Sequence, residues 1–430
     1  MGILSSPSAS GMEISATTAS KSKIPHWLGV QCEAGSSPSC DAKRVDAVSV
    51  HGSHDVFIRY EQVDHLLDED NMIARVRVIK GDVHDQKDIV VQLSMTNELL
   101  TLDITASRKT VEIVLLQKDQ LQRLVNQGSG DVVVEDHVVV TMGPHLSIAT
   151  LGSGNTFVTS TETVGVNTLT LNSKGSGLLQ TSFSELRVST LRVEYYSSGD
   201  LTVFVNSASD ADTMAVIAEG SGDACLSWTS PMAINQFEVQ QVGSGDVSVG
   251  PQGSCRLAKV SMLGSGELDV GGVQCDSVDV DLMSSGKVVV HATNALDVEA
   301  YGSGHVQFTG SAPHAIASTG YKPIYPQRVD DSYLPTNCKR HKIPAIKAKY
   351  AALSSGVLAS AELDSTESSP STTKGRDAAG DFWGDVNHDK DSILPLTAIV
   401  FLVAMILLVE LEKKHVNLSL VHNGVYMFEK

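Results

Sequence analysis

The sequence predicts an all-β protein, with a β-solenoid in the middle of the chain and one transmembrane helix near the C-terminus. Three observations predict this fold. A Gly-Ser-Gly or Ser-Ser-Gly triplet recurs nine times, alternating apolar residues flank the triplets, and one stretch of seventeen residues near the C-terminus is apolar and uncharged. Aromatic residues are scarce at 5%, while Gly, Ser, Val and Thr are abundant, which is typical of short strands joined by tight turns.

The triplets recur at a nearly constant interval. The first residues of successive copies are 24, 23, 22, 23, 23, 21, 20 and 18 positions apart, from Gly128 to Gly302. The middle residue is always Ser and the third is always Gly, whereas the first residue is Ser at Ser197 and Ser284 and Gly elsewhere. The constant residues of the nine corners are Ser129, Gly130, Ser153, Gly154, Ser176, Gly177, Ser198, Gly199, Ser221, Gly222, Ser244, Gly245, Ser265, Gly266, Ser285, Gly286, Ser303 and Gly304.

The triplets lie between short runs of alternating apolar residues. Around the sixth copy, Phe237 and Val239 precede the triplet, and Val247 and Val249 follow it. A period of two places these side chains on one face of a strand. A stack of hairpins would also alternate, but its loops would vary in sequence and spacing. An even period with a recurring corner favours a β-solenoid of about 20–23 residues per coil, whose coils stack about 4.8 Å apart.

The chemistry of the triplet supports a structural corner. We expect Gly at its third position because the backbone there needs either φ > 0 or the absence of a Cβ atom. We expect the constant Ser to hydrogen-bond backbone groups exposed at the bend. A phosphate-binding loop is the alternative for a single Gly-Ser-Gly. It requires a helix after the loop, and none of the nine copies leads into a helical pattern.

The residues outside the triplets divide the chain into segments of different composition. The N-terminal part is rich in Ser, Thr and Ala without periodicity, and a Pro-punctuated, then Ser/Thr-rich stretch follows the last triplet. We therefore expect a disordered region over 1–42, a solenoid over 43–310 (irregular first coils and a cap over 43–127, regular coils over 128–310), a polar linker or stalk over 311–392, a transmembrane helix over 393–409 and a short tail over 410–430.

The apolar stretch Ile393–Val409 predicts a single membrane span. At about 1.5 Å per residue it covers roughly 25 Å, near the lower limit for a bilayer core of about 30 Å. A buried core helix is the alternative, but the stretch is apolar on every side and polar residues flank it. Lys413 and Lys414 follow it, which favours a cytoplasmic tail and an external solenoid. The N-terminus has no apolar segment typical of a signal peptide, which argues for the opposite orientation. We favour surface display, assuming an atypical leader.

Several segments resemble a known family. The stretch "VDAVSVHGSHDVFIRY" (Val45–Tyr60), "NELLTLDIT", "LQRLVNQGSGDVVV" and the serial "GSGD" corners resemble the putative auto-transporter adhesin head GIN domain, a domain of unknown function. The resemblance covers roughly residues 43–310. It implies a right-handed parallel β-helix-like fold and a cell-surface setting, and it supplies no catalytic residues.

Carboxylates follow several corners directly. If the coils stack in register, Asp200, Asp223, Asp246 and Glu267 form a column with a spacing of about 4.8 Å. Such a column repels itself unless it is solvated or bridged by cations, and oxygen-rich sites suit Ca²⁺. The alternative is that each Asp belongs to a turn and points into water. No other cofactor is predicted, and the sequence has no CxxC pair or HExxH motif for a metal site.

Two cysteines are expected to lie on neighbouring coils. Cys255 and Cys275 each stand nine residues before the next triplet. They could form a disulfide in an oxidising compartment or remain a buried thiol pair, and the spacing does not decide between the two.

Charge and motifs exclude some function classes. The formal net charge of −18 argues against nucleic-acid binding, which depends on Lys and Arg. No Arg or Lys column accompanies the acidic one and no GxSxG elbow is present, so we expect no enzyme activity. The sequence therefore predicts a membrane-anchored, adhesin-like surface module for glycan, cation or protein partners. The alternatives are a self-associating scaffold on an internal membrane and, last, a polysaccharide-acting enzyme.

Overall fold

The computed structural model of the 430-residue chain describes residues 20–21, 27–31, 44–62, 72–80, 89–96, 99–106, 110–208, 210–320, 325–329 and 338–345. All regular structure in these residues is β-strand, and the strands belong to one continuous hydrogen-bonded sheet. The sheet winds into a right-handed type of β-solenoid of about nine turns, which confirms the predicted fold class for the described part of the chain.

The strands differ in length because some coils bend without interrupting the strand, whereas in others the strand ends at the bend. In chain order they are β1 Ser20–Lys21, β2 Leu28–Gln31, β3 Ala47–Gly52, β4 Asp55–Tyr60, β5 Met72–Lys80, β6 Val90–Thr96, β7 Leu99–Ala106, β8 Thr110–Leu115, β9 Arg123–Asn126, β10 Val132–Val134, β11 Met142–Thr150, β12 Thr156–Gly175, β13 Leu179–Ser197, β14 Leu201–Ala208, β15 Ala211–Gly220, β16 Ala224–Trp228, β17 Met232–Gly243, β18 Val247–Gly250, β19 Gly253–Gly264, β20 Glu267–Leu282, β21 Lys287–Ala300, β22 His305–Phe308, β23 Ala315–Gly320 and β24 Gln327–Arg328.

The regular coils stack in parallel and in the register that the triplet spacing predicts. The residue two positions after each corner Gly pairs with its equivalent in the next coil, and the offsets between partners equal the spacings of the triplets. These partners are Val132, Thr156, Leu179, Leu201, Ala224, Val247, Leu268, Val288 and Val306.

The core is built from vertical rows of apolar side chains. One row, four residues before the triplets, is fully buried at every level. Each of these aliphatic side chains contributes roughly 1.5–3 kcal/mol by leaving water. The row consists of Leu124, Ile148, Leu171, Val193, Val216, Val239, Val260, Val280 and Val298.

The first coils do not follow one another in space as they do in sequence. β3 pairs in parallel with β7 on one side and with β9 on the other, and β4 likewise lies between β8 and β10. The outer coil of β7 and β8 is then covered by antiparallel strands, β6 on β7 and β5 on β8. These strands form a cap, which a solenoid end requires because its backbone groups would otherwise be unpaired.

The structure differs from the sequence-based expectation at both ends of the solenoid. β2, within the N-terminal range expected to be disordered, pairs antiparallel with β5 through Leu28 and Val76. Beyond residue 310, β23 extends the stack by pairing with β21. The edges of β5 and β21 both offer free backbone groups, and pairing satisfies them.

The predicted membrane span over 393–409 and the tail over 410–430 lie outside the described residues. Among the residues that are described, no helix is long and apolar enough to cross a bilayer.

Candidate functional site

The third glycine of each corner lies directly against the backbone of the preceding coil. A Cβ atom on Gly245 would lie 1.9 Å from the carbonyl oxygen of Gly222, and one on Gly154 would lie 2.0 Å from that of Gly130. The corner therefore needs a residue without a Cβ atom because of the close approach of the coils. The same contact, with the carbonyl of the preceding corner, recurs at Gly130, Gly177, Gly199, Gly222, Gly266, Gly286 and Gly304.

The constant serines form an exposed column along the corner edge. Their hydroxyl groups make no hydrogen bond to the protein within the described residues, so the expected bond to the bend is not formed by these side chains. Where Ser replaces the first Gly, however, its hydroxyl does bond the bend: Ser197 Oγ accepts from the amide of Gly199 at 3.0 Å. The exposed serines are Ser129, Ser153, Ser176, Ser198, Ser221, Ser244, Ser265, Ser285 and Ser303.

The column of carboxylates ties successive coils together. Asp223 donates its backbone amide to Asp200 Oδ1 at 3.3 Å, Asp246 donates to Asp223 Oδ1 at 3.0 Å, and Glu267 donates to Asp246 Oδ1 at 2.8 Å. Lys287 Nζ lies 2.7 Å from Glu267 Oε1 and neutralises the last member. One oxygen of each aspartate therefore holds a backbone donor at the bend.

A basic segment crosses the outer face of the strands that follow the corners. We name residues 338–345 the C-terminal strap. A disulfide joins Cys338 to Cys225 on β16. The side chain of Gln180 accepts from the backbone amide of His341 at 2.7 Å and donates to its carbonyl at 3.2 Å. The guanidinium of Arg340 lies 3.9 Å from the ring centroid of Phe204.

The strap covers side chains that point away from the solenoid core. Phe57, Val133 and Phe157 are register partners on the outer face, and all three are buried. They form an apolar cluster with Leu178, and Ile343 of the strap packs against it. Outward positions on a solenoid strand are normally polar, so this apolar row marks the face on which the strap lies.

A groove remains between the strap and the corner edge. Its volume is about 460 Å³, and we name it the strap groove. His341 Nε2 lies 3.5 Å from Asp200 Oδ2 and links its two walls. It is lined by Asp131, Asn155, Phe157, Ser176, Leu178, Ser198, Gly199, Asp200, His341, Lys342 and Pro344.

A buried tyrosine lies beside two aspartates of the carboxylate column. Tyr195 donates its hydroxyl to the carbonyl of Gly199. Burial raises the pKa of Tyr195 strongly, and the charges of Asp200 and Asp223 raise it further. The hydroxyl therefore stays protonated and remains a hydrogen-bond donor in the wall of the corner.

The stacked cysteines are joined. Cys255 and Cys275 are register partners on β19 and β20, are both buried, and form a disulfide. Of the two states that the spacing left open, the structure contains the disulfide. Nothing in the spacing of the cysteines predicted the second bond, Cys225–Cys338, because its partners are 113 residues apart.

Three bacterial structures are similar to the chain. One, from Parabacteroides merdae, is titled "a putative adhesin"; it is 13% identical, with 71% of this chain and 95% of that chain covered and a TM-score of 0.32. A second "putative adhesin", from Parabacteroides distasonis, is 13% identical, with 70% and 96% covered and a TM-score of 0.33. A "Putative lipid binding protein" from Parabacteroides distasonis is 18% identical, with 67% and 93% covered and a TM-score of 0.31. A search of curated proteins gives no match.

A family model matches the regular coils. It is described as "Putative auto-transporter adhesin, head GIN domain", and it matches residues 197–312, which include six of the nine triplets in full, starting with the one at Ser197. The resemblance that the repeated corners carry is therefore confirmed over residues 197–312, which match the model of the head GIN domain family.

Proposed function

We propose that the protein is a non-enzymatic, adhesin-like module that is displayed on a cell surface and binds a glycan in the strap groove. The observation that carries this proposal is the groove itself, because it combines charged and amide groups with an apolar floor. The adhesin description of the matched family supports an external binding partner.

The chemistry of the groove suits a ligand rich in hydroxyl groups. Asp131 and Asp200 provide acceptors, while His341 and Lys342 provide donors, so both halves of a sugar hydroxyl can be satisfied. Phe157 and Leu178 form an apolar floor on which the less polar face of a sugar ring can pack. Small-ligand sites typically have this combination of apolar lining and a few placed polar groups.

Glycan-array binding of the full chain tests the proposal. Lys342→Gln and Asp200→Asn should each weaken binding of an array hit at least tenfold. Asp246→Asn is the matched control, because it changes the same column two coils away and outside the groove. Absence of any bound glycan, or equal binding by all three variants, would contradict the proposal.

The disulfides support the proposed surface location. Cys225–Cys338 and Cys255–Cys275 both form in the described part of the chain. Disulfides persist in oxidising compartments such as the cell exterior and are rare in the cytosol. We further propose that residues 393–409 anchor the protein in the membrane with the solenoid outside. External protease should then remove an N-terminal tag from intact cells, and full protection of the tag would contradict this orientation.

The carboxylate column is proposed to act structurally and not in catalysis. Asp223 and Asp246 each use one oxygen to hold a backbone amide, and Glu267 is paired with Lys287. A Ca²⁺-binding ridge along these residues stays a prediction, which calcium titration of wild type and Asp223→Asn/Asp246→Asn would test. Polysaccharide turnover that the double variant loses would establish the enzyme alternative instead.

A self-associating scaffold is the second candidate, and the C-terminal end of the solenoid favours it. β23 is exposed along most of its length, and the side chain of Ile316 is 44% exposed. The N-terminal end is covered by β5 and β6, so association would join two C-terminal ends and give dimers. Light scattering over a range of protein concentrations separates a monomer from such a dimer, and Ile316→Lys should abolish the dimer.

A further inference from the structure

Three potential metal ligands lie close together at a bend of the solenoid. This bend is a different one from the Gly-Ser-Gly corner. Asp119 precedes β9, His137 lies between β10 and β11, and Glu162 lies in an irregularity of β12. Their segments are neighbours in the stack, since the amide of Asp119 donates to the carbonyl of His137 at 2.9 Å. One oxygen or nitrogen atom from each side chain lies within 4.8 Å of the other two.

Two buried polar atoms of this cluster are not satisfied by hydrogen bonds to the described residues. Asp119 Oδ1 and His137 Nδ1 are shielded from solvent and make no hydrogen bond within the described part of the chain. The side chain of Asp119 is only 12% exposed, and its other oxygen lies 3.4 Å from Lys118 Nζ. Glu162 reaches the same bend, so two carboxylates lie close together there, with Lys118 as the nearby cation.

The imidazole is already oriented for coordination. His137 Nδ1 lies 3.2 Å from Glu162 Oε1, whereas Nε2 lies 3.6 Å from Asp136 Oδ2. Asp136 is itself fixed by the amide of Thr161, at 2.8 Å from its Oδ1. A carboxylate thus lies beside each ring nitrogen, and when Nδ1 binds a metal, Nε2 carries the proton and faces Asp136.

The backbone of two of these residues adds a second reason to assign them a role. Asp119 and His137 have φ values of 56° and 61°, in the left-handed region that glycine adopts without strain. Asp and His are among the non-glycine residues that adopt this region most readily, and here it turns both side chains towards the cluster.

We propose that Asp119, His137 and Glu162 bind one divalent transition-metal ion of the Zn²⁺ type. One imidazole and two carboxylates supply three protein ligands, and a water molecule would complete a four-coordinate site. Imidazole nitrogen favours Zn²⁺ and its neighbours over Ca²⁺ and Mg²⁺, which prefer all-oxygen sites. Small rotations of the side chains would bring the three atoms to coordination distance. The site cross-links three neighbouring segments of the solenoid near its capped end.

Zinc binding by the full chain tests this proposal, with calorimetry and thermal unfolding as readouts. His137→Asn and Asp119→Asn are suitable variants because Asn tolerates the left-handed backbone conformation. Glu162→Gln keeps the shape of the third ligand. Each change should weaken the zinc site at least tenfold, while any effect of Ca²⁺ on the melting temperature should be the same in these variants and in the wild type. His145→Asn, at an exposed histidine on β11, is the matched control.

Two results would overturn the metal site. One is zinc binding that is equally strong in Glu162→Gln and in the wild type. The other is a rise in melting temperature with zinc that persists in His137→Asn. Without metal, Glu162→Gln should raise the melting temperature, because it removes the repulsion from Asp119. A variant that loses zinc affinity but melts at or above the wild-type temperature has therefore lost a ligand and not its fold.

Discussion

At the scale of single residues, the third glycine of each corner decides whether two coils can stack. A Cβ atom on Gly245 would lie 1.9 Å from a backbone oxygen that cannot rotate away. Gly245→Ala should therefore reduce the free energy of unfolding by at least about 2 kcal/mol, at the upper part of the range for overpacked sites. Ser244→Ala, at the exposed neighbouring position, should be nearly neutral. Thermal unfolding compares the two variants, and an equal melting temperature would contradict the stacking contact.

The buried histidine of the first corner should make stability depend on pH. His54 replaces the third corner Gly, and its Nδ1 lies 2.9 Å from the carbonyl of Ala106. Burial lowers the pKa of His54, although the bond to Ala106 and the charge of Asp55 oppose this, and His51 adds slightly to the lowering. The folded protein therefore binds fewer protons than the unfolded chain below a pH of about 6.5. Stability should be complete above that pH and should fall as the pH decreases through it.

The variant His54→Gln tests this pH dependence. It should flatten the decline in melting temperature between about pH 7 and pH 5, because the amide can bond Ala106 but does not titrate in this range. His145→Gln, at an exposed site, should leave the decline unchanged. Some slope should remain in both variants, since burial also lowers the pKa of His291. An identical slope in wild type and His54→Gln would contradict the assignment.

The sequence predicts residue roles where the role depends on spacing, and fails where it depends on the neighbouring coil. The register of Val239 and Val260 follows from the period alone. Gly245 is required because its backbone contacts Gly222 in the preceding coil. From the sequence alone, a backbone with φ > 0 explains this glycine equally well. The hydrogen bond that the amide of Glu267 donates to Asp246 cannot be predicted from the sequence, because almost every residue supplies a backbone donor.

At the scale of elements, the C-terminal strap depends on its disulfide. Its other contacts include hydrogen bonds to Gln180 and Ser182, the stacking of Arg340 on Phe204, the approach of His341 to Asp200 and the packing of Ile343. Cys225→Ser/Cys338→Ser should therefore let the strap dissociate transiently and expose Phe157 and its apolar neighbours. Dye binding to exposed apolar surface should increase, and proteolysis should begin within the strap.

A control locates this effect in the strap. The variant Cys255→Ser/Cys275→Ser removes the Cys255–Cys275 disulfide. This disulfide lies in the core and not under the strap. It should lower the melting temperature without early cleavage after Cys338. If both double variants are cut in the strap at the same rate, the disulfide to Cys225 is not what holds it.

The strap also shows why the end of the solenoid was difficult to predict. Its sequence, "CKRHKIPA", is basic and Pro-containing, which is typical of a linker when no partner is known. Its partners are an apolar row led by Phe57 and Phe157, together with Asp200. Those outward residues alternate with apolar core residues, so the strand as a whole reads as a continuous apolar run. Leu178, which stands where several other corners have Asp, is the residue from which a covered face could have been predicted.

At the scale of the whole molecule, the order of the first coils could not be derived from the repeat. The parallel stack begins in β3 and β4, the chain then leaves it to form the cap strands β5 and β6, and it returns through β7 and β8 on the outer side before continuing at β9. The alternation of apolar residues is the same for any order of these coils. The choice depends on which arrangement pairs every strand edge, and that is a property of the assembled solenoid.

The stacked architecture predicts that damage to one coil spreads to the neighbouring coils and not through the whole solenoid. Each regular coil contacts its two neighbours, so stability is close to a sum of coil and interface contributions. Gly304→Ala places a Cβ atom 2.4 Å from the carbonyl of Gly286 in the last corner, and Gly245→Ala creates a similar contact in an interior one. In hydrogen exchange, Gly304→Ala should reduce amide protection in β22 and β23 and leave β12 and β13 unchanged. Gly245→Ala should reduce protection in the coils on both sides of it, from β16 to β21. A uniform loss of protection over the whole chain in Gly304→Ala would show instead that the solenoid unfolds as a single cooperative unit.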